Sequence, residues 1–472
     1  MLEIIARRKF EILLGIFVAV YIAWFSFFTL HRFNSLHANY YDLGIMDQTV
    51  YNTSRGRILE LTDPDGSATI KRMAIHNDIL LAGLAPLYLL YSGPQSLLVT
   101  QTIVLALGAI FVYLIALELI KKKYVALSYS FMYLMFPALQ WANTYDFHMV
   151  TFATTLILAL YYVIIKERFK LATLCFILIL FTKEQTALVM ALLGVLLYFR
   201  GRILFPAVKN IVALKKLGIA FFITSGIWFA ASIWLIIPYF RQAQHFALHR
   251  YTDLSDPIKV LHSIFNESTF SYIISLFGPL LFLSFLSPVV LILAPEFAIN
   301  VLSNSSNMQS IIFHYTAVLT PVLFISAIYG ILYIHKKLAA PYRYLLTVQI
   351  VLVLMFSYYK SPLPYSRQYD ERIFSEVKPE LFAINIWAQK LKNEDIVVSA
   401  SLGVATKFTN RKVMIPFSLK YTEAQYVVLL KQEALEDWFD PTESKQAYEQ
   451  LLSDPNFARV EQQGSFEVYK KI

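Results

Sequence analysis

Two carboxylates lie close together in the stretch NYYDLGIMDQ, residues 39–48, where aromatic and apolar residues surround Asp42 and Asp47. The stretch follows an uncharged apolar run, residues 12–30, that is about long enough to cross a bilayer. Because a charge next to hydrocarbon is costly unless it is paired or used, these acids are candidate functional groups. A carboxylate at such a place can act as a general base or bind a cation.

Further ionisable and ligating residues interrupt the apolar part of the chain in the stretches AIHNDIL, NTYDFHM, TKEQ, APEFAIN and IIFHYTA. They are His76, Asp146, His148, Lys183, Glu184, Glu296, His314 and Tyr315, and Arg241 adds a cation in a polar connection. Asp146 and His148 offer a carboxylate and an imidazole close together, which suits a divalent ion. With Asp42 and Glu296 from other connections, they predict an oxygen-rich site that fits magnesium, manganese or zinc.

Each candidate also has a structural explanation, because ionisable groups near hydrocarbon often neutralise one another. Lys183 and Glu184 are adjacent and could pair at a helix junction, and Asp42 and Asp146 could each pair with a nearby cation. The remaining histidines of the polar stretches are expected to be ordinary loop residues. They are His31, His37, His245, His249 and His262.

The composition indicates a protein that crosses a membrane many times. Apolar residues make up 57% of the chain and charged residues 15%, whereas soluble domains average about half and about a quarter. The single cysteine, Cys175, excludes an intrachain disulfide. The first apolar run has the length of a full span and no small-residue cleavage site after it, so we expect a retained helix and not a signal peptide.

Basic residues predict the orientation in the membrane. From Lys360 onward the chain has 15 basic and 16 acidic residues, so the formal charge of +9 arises in the apolar part. The basic residues there cluster in short connections, at 121–123, 166–170, 200–202, 215–216 and 336–337. This is the positive-inside pattern, so the charge does not indicate nucleic-acid binding. It predicts a cytoplasmic N-terminus in a cell membrane, with the candidate residues on the outer face.

About eleven transmembrane helices follow from the apolar runs and this orientation. They are expected at residues 12–30, 95–120, 124–141, 149–165, 171–182, 185–199, 217–238, 271–302, 313–334 and 342–359, where the run 271–302 counts twice. We interpret that run as a hairpin of two helices broken at Ser287-Pro288, with a kinked single helix as the alternative. Residues 79–91 are too few to span and are expected to lie along the outer surface.

Residues 360–472 have the charge density of a soluble protein and no run that could span. Their patterns predict helices at 379–391 and 442–452, buried strands at 396–401 and 425–430, and a hairpin of strands at 458–461 and 465–469. The chain therefore divides into a transmembrane part, residues 1–359, and a small extracytoplasmic α/β domain, residues 360–472.

Several of these stretches together resemble a family of predicted bacterial and archaeal membrane proteins of unknown function. They are YDLGIMDQTVYNTSRG, HNDILLAGLAPLY, YDFH, TKEQ, APEFAINVLS and FHYTAVLTP. That family in turn resembles the GT-C superfamily of polyprenol-dependent glycosyltransferases. The resemblance covers nearly the whole chain and implies a GT-C-like membrane fold. It also implies transfer of a sugar from a polyprenyl phosphate to an acceptor on the outer face.

The resemblance assigns roles to the candidate residues. It makes Asp42 the acid that acts on the acceptor, with Asp47 as the candidate for the second acid, because Leu43 stands where protein O-mannosyltransferases have a glutamate. Asp146 and His148 match an acidic motif that holds a metal or the lipid phosphate, and Glu296 matches a further ligand. The residues expected around the lipid phosphate or substrate are His76, Lys183, Glu184, Arg241, His314 and Tyr315.

Two other functions agree with the same sequence. A transporter or ligand-binding membrane protein would use the acids to bind a cation or solute without catalysis. Transporters tend to have interrupted helices in two corresponding halves. Because the sequence has no visible repeat, this function ranks second. A structural relative whose soluble domain binds a partner is the third.

Overall fold

The computed structural model describes residues 2–436 and 440–472. The chain up to Lys360 is mainly helical, because a helix satisfies its own backbone hydrogen bonds in hydrocarbon. The α-helices of this part are α1 Leu2–Asn34, α2 Ile45–Ser54, α3 Pro94–Ile120, α4 Lys123–Leu134, α5 Pro137–Thr144, α6 Phe152–Ile165, α7 Phe169–Leu180, α8 Thr186–Leu204, α9 Ile211–Ala231, α10 Ile237–Arg241, α11 Pro257–Ile264, α12 Glu267–Phe277, α13 Ala294–Val301, α14 Leu319–Leu338 and α15 Tyr342–Lys360.

Six helical segments of the described chain are long and apolar enough to cross a membrane. They are Arg8–Asn34, Pro94–Ile120, Thr186–Leu204, Ile211–Arg241, Leu319–Leu338 and Tyr342–Lys360. Four further apolar helical segments are shorter: Ile79–Leu89, Met149–Ile165, Phe169–Leu180 and Pro288–Val301. The chain is thus a membrane protein with several apolar helices, and the expected total of about eleven spans stays a prediction.

Two expected helices are interrupted in the structure. The run 124–141 is divided between α4 and α5, because Phe136 precedes Pro137 and adopts an extended conformation. The run 271–302 is broken, as expected, and is not a kinked single helix. The helices on either side of the break, α12 and α13, contact each other, since the Asn300 amide donates to the Tyr272 hydroxyl at 3.0 Å. Between α12 and α13 the chain forms 3₁₀ turns, with left-handed backbone at Leu281 and Phe282. Residues 79–89 form a 3₁₀ helix, and their expected location along the outer surface stays a prediction.

A π-helical turn, Tyr40–Gly44, leads from α1 into α2 and carries Asp42. Its first residue follows Asn39, whose side chain accepts a hydrogen bond from the backbone N–H of Tyr41 at 2.8 Å. Gly44 ends the turn where the chain is tightest, since a Cβ there would lie 2.6 Å from a ring carbon of Tyr40. Such turns recur at functional sites because they shift side chains out of the regular helical register.

The C-terminal part is built around a five-stranded sheet in the order β4-β3-β5-β7-β6. Its strands are β3 Val398–Ala400, β4 Met414–Pro416, β5 Tyr426–Leu430, β6 Phe457–Gln463 and β7 Phe466–Lys471, and β1 Glu60–Thr62 and β2 Thr69–Lys71 form a separate ribbon in the first connection. Strand β3 is parallel to β4 and β5, and β7 is antiparallel to β5 and β6. The helices of this part are α16 Leu381–Lys390, α17 Leu402–Ala405, α18 Lys431–Leu435 and α19 Pro441–Ser453. The small C-terminal sheet predicted from the sequence is confirmed, and β4 is an additional strand.

The sheet packs directly on the first connection. Tyr40 and Met46 share a hydrophobic cluster with Val404, Phe408 and Met414, and all five are buried. The Tyr40 hydroxyl donates to the backbone carbonyl of Met414 at 2.9 Å. The segment that carries Asp42 is therefore held between the membrane helices and the C-terminal sheet.

Asp47 lies inside this packed region. Its side chain is fully buried and accepts hydrogen bonds from the hydroxyls of Tyr88 and Thr409. Burial raises the pKa of Asp47 to about 7, although both hydroxyl groups act in the opposite direction. Since Thr409 belongs to the C-terminal part, the carboxyl group ties that part to α2.

Replacement of Asp47 by asparagine tests this buried carboxyl. The pKa of Asp47 is about 7 in the folded protein and about 4 in an unfolded chain. The stability that the protonated carboxyl contributes is therefore fully present below pH 4, decreases between pH 4 and 7, and is lost above pH 7. We expect Asp47→Asn to gain stability relative to the native protein between pH 5 and 8, by a few kcal/mol at most. Thermal unfolding midpoints in detergent at both pH values give the measurement.

The matched control is Asp65→Asn, because Asp65 is exposed in the same connection. It should leave the midpoint unchanged at both pH values. A difference between Asp47→Asn and the native protein that does not vary with pH would contradict the assignment.

Candidate functional site

A cavity of about 590 Å³ opens where the first connection, the α7–α8 junction and the connection after α10 meet. We call it the histidine-lined cavity. Its ionisable and polar lining consists of Tyr41, Asp42, Arg72, His76, Asp78, His148, Thr182, Lys183, Glu184, Gln185, His245, Arg250, Tyr251, His314 and Tyr315. Apolar side chains such as Leu188, Phe229 and Ile233 complete it. Residues from distant parts of the chain therefore meet in one hollow.

Asp42 is held from two sides at the wall of this cavity. Its Oδ1 lies 3.2 Å from Nε2 of His148, and its Oδ2 accepts a hydrogen bond from the Tyr145 hydroxyl at 3.1 Å. Burial alone would raise the pKa of Asp42, but the hydrogen bonds from His148 and Tyr145 outweigh it and lower the pKa below its usual value. The side chain keeps 21% of its surface exposed, so the carboxylate is charged and accessible.

His148 continues the contact away from Asp42. Its ring stacks on the ring of His314 with centroids 3.6 Å apart. Its Nδ1 is buried and has no hydrogen-bond partner among the described residues, and the same holds for Nδ1 of His314. Burial, followed by the positive surroundings, lowers the pKa of His314 well below its usual value. The stacked rings thus place the neutral imidazole of His314 beside the Asp42–His148 contact.

Asp146 has a different partner from the one that its spacing to His148 predicts. One of its oxygens is ion-paired with Arg32 at the end of α1, and the other accepts the backbone N–H of Asn39 at 3.0 Å. The side chains of Arg32 and Asp146 are 5% and 1% exposed. Asp146 also has a positive φ of 39°, a conformation that aspartate tolerates better than most residues. One oxygen therefore binds a side chain of α1 and the other binds the backbone that follows α1, so both have structural partners.

Glu184 joins two histidines that are far apart in the sequence. Its Oε1 lies 2.8 Å from Nδ1 of His76 and 3.1 Å from Nε2 of His245, and its Oε2 accepts the backbone N–H of Asn77 at 3.0 Å. We call His76, Glu184 and His245 the triad. The expectation that His245 is an ordinary loop residue is wrong, since it is only 4% exposed. No spacing pattern connects it to the other two.

The charges of the triad follow from its surroundings. Burial alone would raise the pKa of Glu184, but the interactions with His76, His245 and Lys183 lower it well below its usual value. Burial also lowers the pKa of His76 to about 4, with Lys183 acting in the same direction and Glu184 opposing it. Glu184 is therefore a carboxylate beside a neutral His76.

Two cations face the cavity without a carboxylate at ion-pair distance in the described part of the chain. Lys183 lies with its Nζ 6.0 Å from the ring of Tyr315. Arg250 contacts the Met308 sulfur at 3.8 Å. The alternative that Lys183 neutralises the adjacent Glu184 is not realised as a direct ion pair, because the carboxylate oxygens are occupied by the triad and a backbone N–H.

Arg241 and Glu296 lie apart from this set. Arg241 stacks on Phe246 at 5.5 Å and does not line the cavity, so Arg250 takes the place expected for it. Glu296 is buried, and its Oε1 accepts a hydrogen bond from Gln185 at 2.6 Å. The structure does not bring Asp146, His148 and Glu296 together as one ligand set. Among the described residues, the side chains close enough to share a metal ion are those of the triad, whose ligand atoms lie within 4.8 Å of one another.

A second cavity, of about 610 Å³, lies between the membrane helices and the C-terminal part. We call it the interdomain cavity. Its lining includes Asn39, Asp42, Lys378 and Glu433. Asp42 lines both cavities, so this residue lies at their boundary.

The Arg32–Asp146 pair offers a test of the site's framework. Loss of one partner of a buried ion pair leaves an uncompensated charge, so Asp146→Asn should lower the free energy of unfolding by about 3 kcal/mol. The double variant Arg32→Met/Asp146→Asn should recover part of that loss. Thermal unfolding in detergent measures both.

The control for this pair is Asp253→Asn, which removes the partner of Lys259 in an exposed ion pair with side chains 36% and 58% exposed. It should change the midpoint little, since exposed pairs contribute about 1 kcal/mol or less. A double variant as unstable as the sum of its single variants would contradict the coupling of Arg32 and Asp146.

Comparison with known proteins gives the chain a family. No curated protein matches the sequence. The sequence profile of the family described as "Predicted membrane protein (DUF2079)" matches residues 32–471, which include every lining residue of both cavities. The chain belongs to this DUF2079 family of predicted membrane proteins.

Proposed function

We propose that the protein transfers a sugar from a polyprenyl-phosphate donor to an acceptor on the outer face of the membrane. The observation that carries the proposal is the position of Asp42 at the boundary of two cavities of different character. One cavity combines apolar walls with unpaired cations, and the other is shared with the C-terminal part. The basic connections at the opposite ends of the helices support an external location for this face.

The histidine-lined cavity suits the donor. Lys183 and Arg250 offer positive charge to a phosphate, and neither is neutralised by an ion pair among the described residues. Leu188, Phe229 and Ile233 offer apolar surface to the first isoprene units. A buried phosphate requires such charge, since an unpaired anion in an apolar surrounding is strongly unfavourable.

The interdomain cavity suits the acceptor. An acceptor hydroxyl that enters there meets Asp42 from the side opposite to the donor. Asp42 takes the hydroxyl proton while the acceptor oxygen bonds to the anomeric carbon of the sugar. The bond between that carbon and the phosphate oxygen breaks, and the polyprenyl phosphate leaves as an anion beside Lys183 and Arg250. His148 and Tyr145 hold the base, and positive charge from the two cations makes a metal ion unnecessary for this step.

Replacement of Asp42 by asparagine tests the base. The variant should lose about 100-fold or more of sugar transfer, while binding of polyprenyl phosphate stays within about twofold. Because the pKa of Asp42 is lowered, the native rate should be constant between pH 6 and 8 and fall only in acid. Transfer is measured in membrane vesicles that contain the cell's own acceptors, with labelled polyprenyl-phosphate hexoses.

Asp65→Asn provides an exposed carboxyl as the control and should transfer at the native rate. A folded Asp42→Asn protein with native transfer would remove Asp42 as the base. Uptake of a labelled solute by liposomes, with no donor consumed, would favour the transporter instead.

The cations are tested by binding of polyprenyl phosphate without a sugar. Lys183→Met and Arg250→Met should each weaken binding about tenfold or more, because a charge-assisted contact is lost. Arg241→Met should bind normally, since Arg241 does not line the cavity. Equal affinity of all three variants would place the phosphate elsewhere.

A further inference from the structure

The ring protons of the triad can be assigned from hydrogen bonds to its outer atoms. The backbone N–H of Ala247 donates to Nδ1 of His245 at 3.0 Å, so this nitrogen carries a lone pair and no proton. In the neutral ring the proton then lies on Nε2, which is the atom that faces Glu184 at 3.1 Å. His245 is therefore a hydrogen-bond donor to Glu184.

Glu184 fixes the other histidine in the same way. Its carboxylate accepts from His245, from the backbone N–H of Asn77 and from Nδ1 of His76. Since Nδ1 of His76 is the donor, its Nε2 carries the lone pair. That atom has no hydrogen-bond partner among the described residues, while the side chain is 19% exposed and lines the histidine-lined cavity.

These proton positions argue against a metal ion bound by the triad. Two imidazoles and one carboxylate form a common zinc set, and the three ligand atoms are close enough. A histidine that binds a metal, however, normally donates its other ring N–H to an acceptor. His245 receives a hydrogen bond at that nitrogen, so a metal on Nε2 would require both ring nitrogens to be deprotonated.

We propose that the hydrogen bonds of the triad fix which ring nitrogens of its histidines carry protons. Nε2 of His76 then faces the cavity as a hydrogen-bond acceptor for a hydroxyl of the donor sugar. The ligand assignment rests on the proposed glycosyl transfer. Lys183 precedes Glu184 in the chain, so the cation expected at the phosphate and the triad lie at the same helix junction. A sugar attached to that phosphate is thereby brought next to His76, which acts as a positioning residue.

The proton assignment is tested without any donor. Nitrogen NMR of the full-length protein labelled in histidine should report His76 protonated at Nδ1 and His245 protonated at Nε2, with assignments from single histidine variants. Equimolar zinc should leave both signals unchanged. Metal analysis after dialysis should find less than about 0.1 zinc ion per chain. Retention of one zinc per chain that is lost in Glu184→Gln would overturn the proposal in favour of a metal site.

The ligand assignment is tested with two probes, a polyprenyl phosphate and the same lipid carrying mannose. In His76→Asn, the amide nitrogen can replace Nδ1 as the donor to Glu184, but no acceptor remains at the position of Nε2. This variant should bind the sugar-bearing lipid about tenfold more weakly and the bare lipid normally, since one hydrogen bond is lost. His76→Gln, whose amide reaches the position of Nε2, should recover part of the affinity.

His262→Asn serves as the control, because His262 is exposed outside both cavities. Equal weakening of both lipids in His76→Asn would overturn the role of His76 in reading the sugar. Absence of saturable binding of either lipid to the native protein would overturn the glycosyl-transfer function and, with it, the ligand assigned to His76. The two failures are therefore distinguishable.

Discussion

The geometry of the site depends on the buried ion pair between Arg32 and Asp146. It joins the end of α1 to the connection that precedes α6, and the second oxygen of Asp146 holds the backbone of Asn39. Asn39 caps the π-helical turn that carries Asp42, and His148 follows Asp146 by two residues. One carboxylate thus fixes both members of the Asp42–His148 contact. Such a pair adds little net stability, but it selects one arrangement of the chain over others.

Burial then decides which groups in the histidine-lined cavity are charged. It lowers the pKa of His76 and His314, so these rings are neutral acceptors and donors and not cations. The positive charge is left to Lys183 and Arg250, which have no carboxylate at ion-pair distance within the described chain. Glu184 makes no direct ion pair with either cation, because its oxygens accept three hydrogen bonds, although its charge still acts on the neighbouring Lys183. Under the proposed function, these two cations face the phosphate of the donor and the neutral rings face the hydroxyl groups of its sugar.

The sequence predicted the participants of the site better than their pairing. A charge within an apolar run is conspicuous, and this signal located Asp42, His148 and Lys183, which line one cavity. This signal does not identify site residues in polar stretches, where His245 and Arg250 look like ordinary loop residues. It also does not predict which residues contact each other, because Asp146 pairs with Arg32 and not with the metal ligands proposed for it. Strands of the C-terminal sheet were predictable from local patterns, whereas the irregular segment 278–293 was not, since proline marks a break without specifying its form.

The two sides of Asp42 differ in how firmly they are held. On the interdomain side, the π-helical turn packs against Phe408 and Met414 in a shared hydrophobic cluster, and Asp47 ties α2 to the same part of the chain. On the side of the histidine-lined cavity, the segment Phe246–Ser255 contains no buried residue and its backbone forms irregular 3₁₀ turns. Few buried contacts mean a low cost of local opening. Under the proposed function, this segment is the expected route of entry for the long lipid, while the residues around Asp42 on the interdomain side stay fixed.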